Sequence, residues 1–247
     1  MVSNAVGYNT ITINKEYTLL TVNFTDVSGA DLTVNQAFPY AAGMTTGKAN
    51  TTADNIQVMT SDGGYTTYFL SNGDYGKSSH SADLENKWAK AGTSAATTDT
   101  LAPGATFWYL SRGAANGVSH TITTAGAIDM AESETYVINK EYTLIGCPFP
   151  VAVAINGGIE VTGATAGKAN TNADNIQVMT SDGGYTTYFL SNGDYGKSSH
   201  SVDLENKWAK AGTSTATTDT FPIGGGAWYL SRSQSGTFKF INPVSNK

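Results

Sequence analysis

The chain has 247 residues, a formal net charge of -6 and 14% charged residues, against roughly 25% in an average soluble domain. The acidic balance argues against nucleic acid as a partner, because phosphate backbones attract basic surfaces. A single cysteine excludes an intrachain disulfide framework. No run reaches the roughly 18 apolar residues of a membrane span. Sparse charge together with 13 tyrosines is typical of secreted β-proteins.

The chain begins with an alternating segment, Val6–Asn14, which predicts a β-strand. In an extended backbone its threonines lie on one face, and Ile11 and Ile13 lie on the other, which we expect to be the core. The segment is uncharged and β-prone, so it could complete a neighbour's sheet by strand addition; the alternative is pairing within its own domain. The residues of this predicted assembly strand are Val6, Tyr8, Thr10, Ile11, Thr12 and Ile13.

A long repeat organises the rest of the chain. Gly47–Thr100 recurs as Gly167–Thr220, with 51 of 54 positions identical. Shorter matches flank this block on both sides, so each unit spans roughly 120 residues, an ordinary domain size. We predict two homologous tandem modules, residues 1–126 and 127–247. Any surface that the block forms is displayed twice, so its binding could be bivalent.

Within the block, Asn55–Thr60 and Tyr65–Leu70 predict a β-hairpin, because the Asp-Gly-Gly sequence between them supplies turn residues. Ser71–Gly76 predicts another turn. Leu84–Lys90 fits either a strand or a short helical turn. No window has a convincing helical period. The predicted fold is all-β, with two sandwich-like or barrel-like modules in tandem.

Thr106–Arg112 predicts a strand whose two faces can be compared between the units. Phe107 becomes Ala227 in the second unit, whereas Trp108 is kept as Trp228. The interpretation is that Trp108 and its alternate neighbours face the core and that Phe107 and Tyr109 face away. Cys147 stands where the first unit has Val22, which indicates a small core hydrophobe.

Repeated aromatic residues are the strongest indication of a ligand. Tyrosine and tryptophan rings stack on sugar rings, although a β-module also needs aromatic residues in its core. A bivalent glycan-binding platform is therefore an alternative to a purely structural role. Its candidate residues are Tyr65, Tyr75, Trp88 and Tyr109 in the first unit and Tyr185, Tyr195, Trp208 and Tyr229 in the second.

Repeated acidic turns suggest calcium, whose preferred ligands are oxygen atoms on turns that wrap an ion. The segments do not match the twelve-residue calcium loop, and Asp and Asn are also ordinary turn residues. The candidate ligands are Asp62, Asn72 and Asp74, with Asp182, Asn192 and Asp194 in the second unit. No other cofactor is expected.

No catalytic constellation is expected. His80 has serine neighbours and a nearby Asp83, but residues so close along an extended chain cannot converge as a Ser-His-Asp triad. A glycosidase would need two carboxyl groups across a cleft, and most of the acidic residues occur in predicted turns.

Three short motifs resemble a group of uncharacterised secreted bacterial β-proteins. They are Val6-Gly-Tyr8, the Tyr-Thr-Thr-Tyr-Phe arm that begins at Tyr65, and the closing segment Gly104–Arg112. The second unit departs from the closing motif at Ala227. The resemblance implies export and a β-fold, and it implies neither an activity nor site residues.

These features together lead to an expected function. We expect a non-enzymatic extracellular or cell-surface protein that assembles with copies of itself through strand edges, with glycan binding as the alternative. Met1-Val-Ser-Asn does not resemble a signal peptide. Secretion would therefore depend on a signal removed before this numbering begins.

Overall fold

The computed structural model describes residues 5–76, 78–195 and 199–245. The chain forms two compact units: the first contains the chain up to Asp129 together with Ser181–Gly183, and the second contains Met130–Thr180 and the chain from Gly184. The units therefore divide three residues after the boundary predicted from the sequence. Both are built almost entirely from antiparallel strands, and the all-β prediction is confirmed.

The described part of the first unit contains nine strands and two short helices. They are β1 (Val6–Ile13), β2 (Tyr17–Thr21), β3 (Leu32–Thr33), α1 (Val34–Ala37), β4 (Asn55–Met59), β5 (Tyr65–Tyr75), β6 (Ser79–Lys90), β7 (Thr100–Leu101), β8 (Thr106–Leu110), α2 (Arg112–Ala115) and β9 (His120–Ala127).

Ten strands lie in the residues of the second unit that the structure describes. They are β10 (Ser133–Ile138), β11 (Tyr142–Gly146), β12 (Val153–Ala154), β13 (Ile159–Thr162), β14 (Asn175–Met179), β15 (Tyr185–Tyr195), β16 (Ser199–Lys210), β17 (Thr220–Phe221), β18 (Gly226–Leu230) and β19 (Gly236–Ile241).

Each unit contains a five-stranded sheet with an equivalent strand order, β2-β8-β4-β5-β6 in the first and β11-β18-β14-β15-β16 in the second. A smaller sheet joins the first long strand of each unit to its last. This smaller sheet is β1-β9 in the first unit and the three-stranded β10-β19-β13 in the second. The main core of the first unit combines Ile13 and Ile122 of the small sheet with Leu20, Ile56 and Tyr109 of the large one. This is the two-layer arrangement of a sandwich.

The predicted turn at Ser71–Gly76 is wrong, because β5 continues through it to Tyr75. Gly73 has φ +90°, and the register against β6 shifts on both sides of Asn72, so the turn-forming residues make bulges instead of ending the strand. A Cβ atom at Gly73 would lie 2.5 Å from Cε1 of His80, which requires glycine there. Leu84–Lys90 belongs to strand β6 and forms no helical turn.

The face assignment of β8 is also wrong. The alternation is as predicted, but Phe107 and Tyr109 are the buried pair in the main core, and Trp108 is half-exposed on the opposite face. Phe107 packs edge-on against Phe38 with ring centroids 4.8 Å apart. The second unit fills its core differently around Ala227, with the cluster Phe221, Phe238 and Phe240. Both Phe107 and Ala227 are buried, so the substitution changes which rings fill each core.

The helices are only four residues long, and no helix in the described parts of the chain is long and apolar enough to cross a membrane. Cys147 is fully buried in the core of the second unit, as predicted. Burial raises the pKa of its thiol to about 12.

Candidate functional site

The predicted assembly strand pairs within its own unit. Strand β1 lies antiparallel to β9 over its whole length, from Val6 opposite Ala127 to Ile13 opposite His120. Its predicted alternation is confirmed: Ile13 is buried, whereas Val6 and Tyr8 are 67% and 76% exposed. Thr10 and Thr12 are exposed on the same side as Tyr8, and Ile11 is half-buried against the core.

The other edge of β1 has no ladder partner among the described residues. Natural edge strands usually carry charges, proline or bulges that prevent pairing with another chain. Neither β1 nor β9 contains Asp, Glu, Lys, Arg or Pro, and their pairing is regular throughout. By contrast, the edge strand β6 carries several charged side chains and a bulge at Asn86, whose φ is +58°. Strand β1 is therefore an unprotected edge.

Most of the predicted glycan platform is inside the protein. Trp88 and Tyr109 are buried in the main core, and Trp208 and Tyr229 are buried in the second unit. Tyr75 and Tyr195 are half-buried against small clusters around Phe69 and Phe189. Tyr195 also lines a surface cavity of about 320 Å³. The exposed members of the predicted set are Tyr65 at 46% and Tyr185 at 44%.

Tyr65 belongs to a surface that the sequence analysis missed. The register places it on the same face of the five-stranded sheet as Tyr17 and Trp108, with Gln57 between the strands. Tyr17 is exposed and meets Trp108 edge-on at a centroid distance of 6.3 Å. We call Tyr17, Tyr65 and Trp108 the aromatic surface of the first unit.

The second unit repeats this surface with Tyr142, Tyr185 and Trp228. The ring centroids of Tyr142 and Trp228 are 6.2 Å apart, and both tyrosines are exposed. Burial raises the pKa of Tyr185, and the neighbouring Trp228 side chain opposes part of that rise. The pairing of β2 with β8 joins distant parts of the chain, so no local pattern could have identified the surface.

The predicted calcium ligands are held by protein donors. Asp62 Oδ1 accepts from the Thr60 hydroxyl and from the amide of Gly64, 3.2 Å away. Asp74 accepts from His80 Nδ1 at 2.8 Å and from Asn72 Nδ2 at 3.1 Å.

The second unit repeats the last two contacts around Asp194, with His200 Nδ1 at 2.8 Å and Asn192 Nδ2 at 3.2 Å. Asp182 occupies the turn equivalent to that of Asp62. Within the described ranges no group of three acidic, histidine or cysteine side chains could hold a metal. Calcium therefore stays a prediction.

A buried polar chain joins the sheets of the first unit. Asp54 is fully buried immediately before β4 and accepts from Tyr109 Oη at 2.6 Å, from the Arg112 amide at 2.7 Å and from the Thr45 amide at 3.1 Å. His120 Nε2 lies 3.1 Å from the same tyrosine hydroxyl. Because Tyr109 donates its proton to Asp54, the neutral histidine donates from Nε2 and leaves Nδ1 as a buried acceptor without a partner.

This chain accounts for two shifted pKa values. Burial, helped by the charge of Asp54, raises the pKa of Tyr109 far above its ordinary range. Burial lowers the pKa of His120, against a smaller opposite effect of Asp54. In the second unit Asp174 holds Tyr229 Oη at 2.6 Å and the Arg232 amide at 2.7 Å. Tyr229 contacts the rings of Phe238, at a centroid distance of 5.1 Å, and Trp208, at 6.5 Å. Among the described residues, the buried chain ends in a histidine in the first unit, whereas a phenylalanine ring lies beside the tyrosine in the second.

No protein-family model matches the chain, and neither a curated protein nor a solved structure is detectably similar to it.

Proposed function

We propose that the protein is a non-enzymatic, extracellular structural subunit that assembles with copies of itself by pairing of strand edges. The observation that carries this proposal is the unpaired edge of β1, an eight-residue strand without charge, proline or bulge. Strand addition at such an edge uses main-chain hydrogen bonds that are already oriented for a partner.

The chain offers a second edge for the same contact. Strand β10 pairs with β19 on one side and has no ladder partner on its other side within the described ranges, and Glu134 is its one charged residue. Val137 on β10 is 70% exposed. Pairing of β1 in one copy with β10 in the next is a head-to-tail contact, which continues indefinitely unless the rotation closes a ring. This geometry suits a filament or a surface array.

Sedimentation velocity over a range of protein concentrations tests the proposal. We expect the weight-average sedimentation coefficient to rise with concentration for the wild-type chain. Tyr8→Lys should abolish the rise, because a lysine on the edge strand opposes pairing with another strand. The matched control is Val202→Lys on β16, an exposed position on an edge strand that already carries charges. A monomer at every concentration, or equal effects of both variants, would remove the basis of the proposal.

A second candidate function is bivalent glycan binding, and the repeated aromatic surface favours it. Each unit places two exposed tyrosines and one half-exposed tryptophan on one sheet face. Flat sheet faces with exposed rings suit stacking on sugars. Two such surfaces on one chain raise the apparent affinity for a polymeric ligand well above that of either alone.

A glycan array separates the two functions. We expect wild-type binding to decrease strongly in Tyr17→Ala or Tyr142→Ala and to disappear in the double variant, because avidity requires both surfaces. Tyr8→Lys serves as the control, since it changes the assembly edge and leaves the aromatic surfaces intact. Absence of any signal from the wild-type chain would exclude this candidate and leave the assembly proposal untouched.

A further inference from the structure

The second unit contains a cavity of about 480 Å³ beside Trp208, between β13 and β16, which is within the size range of small-molecule sites. Its apolar wall includes Ile155, Ile159 and Leu190. Trp208 is paired with Leu190 across β16 and β15, so both side chains lie on the core-facing side of the sheet. Lys207 precedes Trp208 in the strand, and its side chain points to the opposite face. The sheet therefore presents an indole and an aliphatic side chain to the cavity.

The two units are equivalent up to the edge of this cavity. Asn35 Oδ1 accepts from the Trp88 amide, and Asn156 Oδ1 accepts from the Trp208 amide, both at 2.8 Å. These asparagines mark the same point in the two chains. The Asn156 side chain also donates to two backbone carbonyls, at 2.9 and 2.8 Å, so its donors are used within the protein. It forms part of the cavity wall.

After this asparagine the two chains diverge because their residues differ. The first unit continues with Gln36 and Ala37 in helix α1. The second unit has Gly157 and Gly158 instead, and glycine disfavours a helix. Gly157 has φ +90°, and a Cβ atom at Gly158 would lie 2.6 Å from the carbonyl oxygen of Ala154. The second chain therefore turns sharply at this point and continues as β13, which pairs with β19.

The helix of the first unit brings a peptide group onto the tryptophan. Trp88 Nε1 donates to the carbonyl oxygen of Phe38 at 2.6 Å, and Phe38 is fully buried. In the second unit Trp208 is 3% exposed, and its Nε1 has no acceptor among the described residues. A buried N–H group without an acceptor is unfavourable unless water or a ligand supplies one. Because Trp208 lines the cavity, that acceptor would lie in the cavity.

The other polar groups of the lining favour a neutral ligand. Glu160 already binds Lys239 at 3.1 Å, and Asn206 is exposed. An amide suits both kinds of group, since its carbonyl oxygen accepts from the indole and its N–H donates to a carboxylate or side-chain amide oxygen. A carboxylate ligand would lose its hydration against an indole and an aliphatic wall, which cannot neutralise its charge.

We infer that the cavity of the second unit binds a small neutral amide with an aliphatic substituent. The carbonyl oxygen of the ligand accepts from Trp208 Nε1, as that of Phe38 does from Trp88. The hydrocarbon part contacts Ile159 and Leu190. The first unit thus contains, within its own chain, the chemical group that the second unit takes from solution.

Nitrogen-15 NMR of the four indole N–H groups tests the inference within one molecule, with N-butylacetamide as the probe. We expect the Trp208 signal to move downfield and to saturate, with a Kd on the order of 1 mM for so small a ligand. The Trp88 signal should stay fixed, because its N–H is bound to Phe38. The signals of Trp108 and Trp228 should also stay fixed, because the aromatic surfaces lie outside the cavity. Sodium hexanoate, an anion of similar size, should bind about tenfold more weakly or less.

A pair of variants tests the role of the indole N–H. Trp208→Phe keeps an aromatic ring and removes the donor, so ligand-detected NMR should show amide binding weakened about tenfold. Trp88→Phe makes the same change in the first unit and should leave binding unchanged. The comparison of the amide with hexanoate uses the wild-type chain, so it still decides the question if a variant does not fold.

Three results would overturn the inference. They are a Trp208 signal that does not move up to the solubility limit of the amide, equal binding of hexanoate, and equal effects of the two folded tryptophan variants. The cavity contains neither the edge of β1 nor the aromatic surfaces. Its failure to bind the amide would therefore not affect either proposed function.

Discussion

The two units share a nearly identical central block and differ in what covers it. In the first unit the segment after β3 seals the core over Trp88, and the small sheet β1-β9 is uncharged. In the second unit the corresponding segment becomes β13, the small sheet gains charged residues, including the Glu160–Lys239 pair, and a cavity lies beside Trp208. One scaffold thus supports an unprotected edge in one unit and an open cavity in the other. The variable segments, not the repeat, set the properties of each unit.

The buried carboxylates should give the largest effects. Asp54→Ala removes the acceptor of three donors, of which the Tyr109 hydroxyl is buried and the two amides are partly buried, and we expect it to lower the free energy of unfolding of the first unit by about 5 kcal/mol. Asp174→Ala removes the acceptor of two donors in the second unit and should cost about 3 kcal/mol.

Hydrogen exchange of peptides from residues 21–46 and 146–166, which differ in sequence, reports on each unit separately. Asp83→Ala, at an exposed position, is the control and should change neither unit. Equal losses from Asp54→Ala and Asp174→Ala would contradict the difference in donor number.

Phe107 on β8 and Ala227 on β18 occupy equivalent core positions. Replacing each by the other residue should leave a cavity in the first core and overfill the second. Phe107→Ala removes a buried ring packed on Phe38, and it should destabilise the first unit by about 3–5 kcal/mol because a cavity remains. Ala227→Phe overfills a core that already contains the Phe221, Phe238 and Phe240 cluster, with an expected cost of about 1–3 kcal/mol.

The same two peptides provide the measurement. Each substitution should accelerate exchange only in the unit that carries it. A neutral Ala227→Phe would mean that the second core has room for the ring, against the observed packing.

His120, at the end of the buried chain, should make the stability of the first unit decrease at acidic pH. The folded pKa of His120 lies below its ordinary value of 6.5, so below that pH the unfolded chain binds a proton that the folded unit resists. The stabilising contribution is fully present above about pH 6.5 and is lost as the pH falls.

Thermal unfolding at pH 7.5 and 5.5 measures this effect. His120→Phe should reduce the pH dependence, since Phe238 already packs against the equivalent tyrosine. His80→Gln is the control, because that histidine is exposed and has a counterpart in the other unit. An unchanged pH dependence in His120→Phe would show that other groups cause it.

The smallest effect is expected at Cys147. Cys147→Val replaces a buried thiol by the residue that the first unit carries at the corresponding position, Val22, which is also buried. The free energy of unfolding should change by less than about 1.5 kcal/mol. The thiol should also resist alkylation in the folded protein, because its raised pKa and burial suppress the reactive thiolate. Rapid alkylation would show that the second core opens locally.

Local patterns predicted the fold class, the faces of β1 and the hairpin of β4 and β5, because alternation and turn residues are short-range signals. They failed where packing between distant parts of the chain determines the extent of a strand or the face that is buried. The turn residues at Ser71–Gly76 became bulges within β5, since β6 continues to pair with it. The faces of β8 were predicted the wrong way round because the change of Phe107 to Ala227 was interpreted as a surface change. Both positions lie in a core, and rings from other parts of the chain fill the second core.

The candidate sites were less predictable for the same reason. The uncharged sequence of β1 was enough to suggest an open strand edge. The aromatic surface depends on the register of β2 against β8, and the cavity beside Trp208 depends on the path of the segment that lies over Trp88 in the first unit. Neither has a signature within a short stretch of sequence.

In each unit the first long strand pairs with the last to form the small sheet, and this pairing affects how reliably each unit folds. The two central blocks are nearly interchangeable, so a nascent chain could dock the terminal strands of one unit onto the block of the other and become trapped. Strands β1 and β9 match each other in length and register, whereas β19 carries the phenylalanines that complete the second core. We expect these dissimilar terminal strands to direct each small sheet to the central block of its own unit.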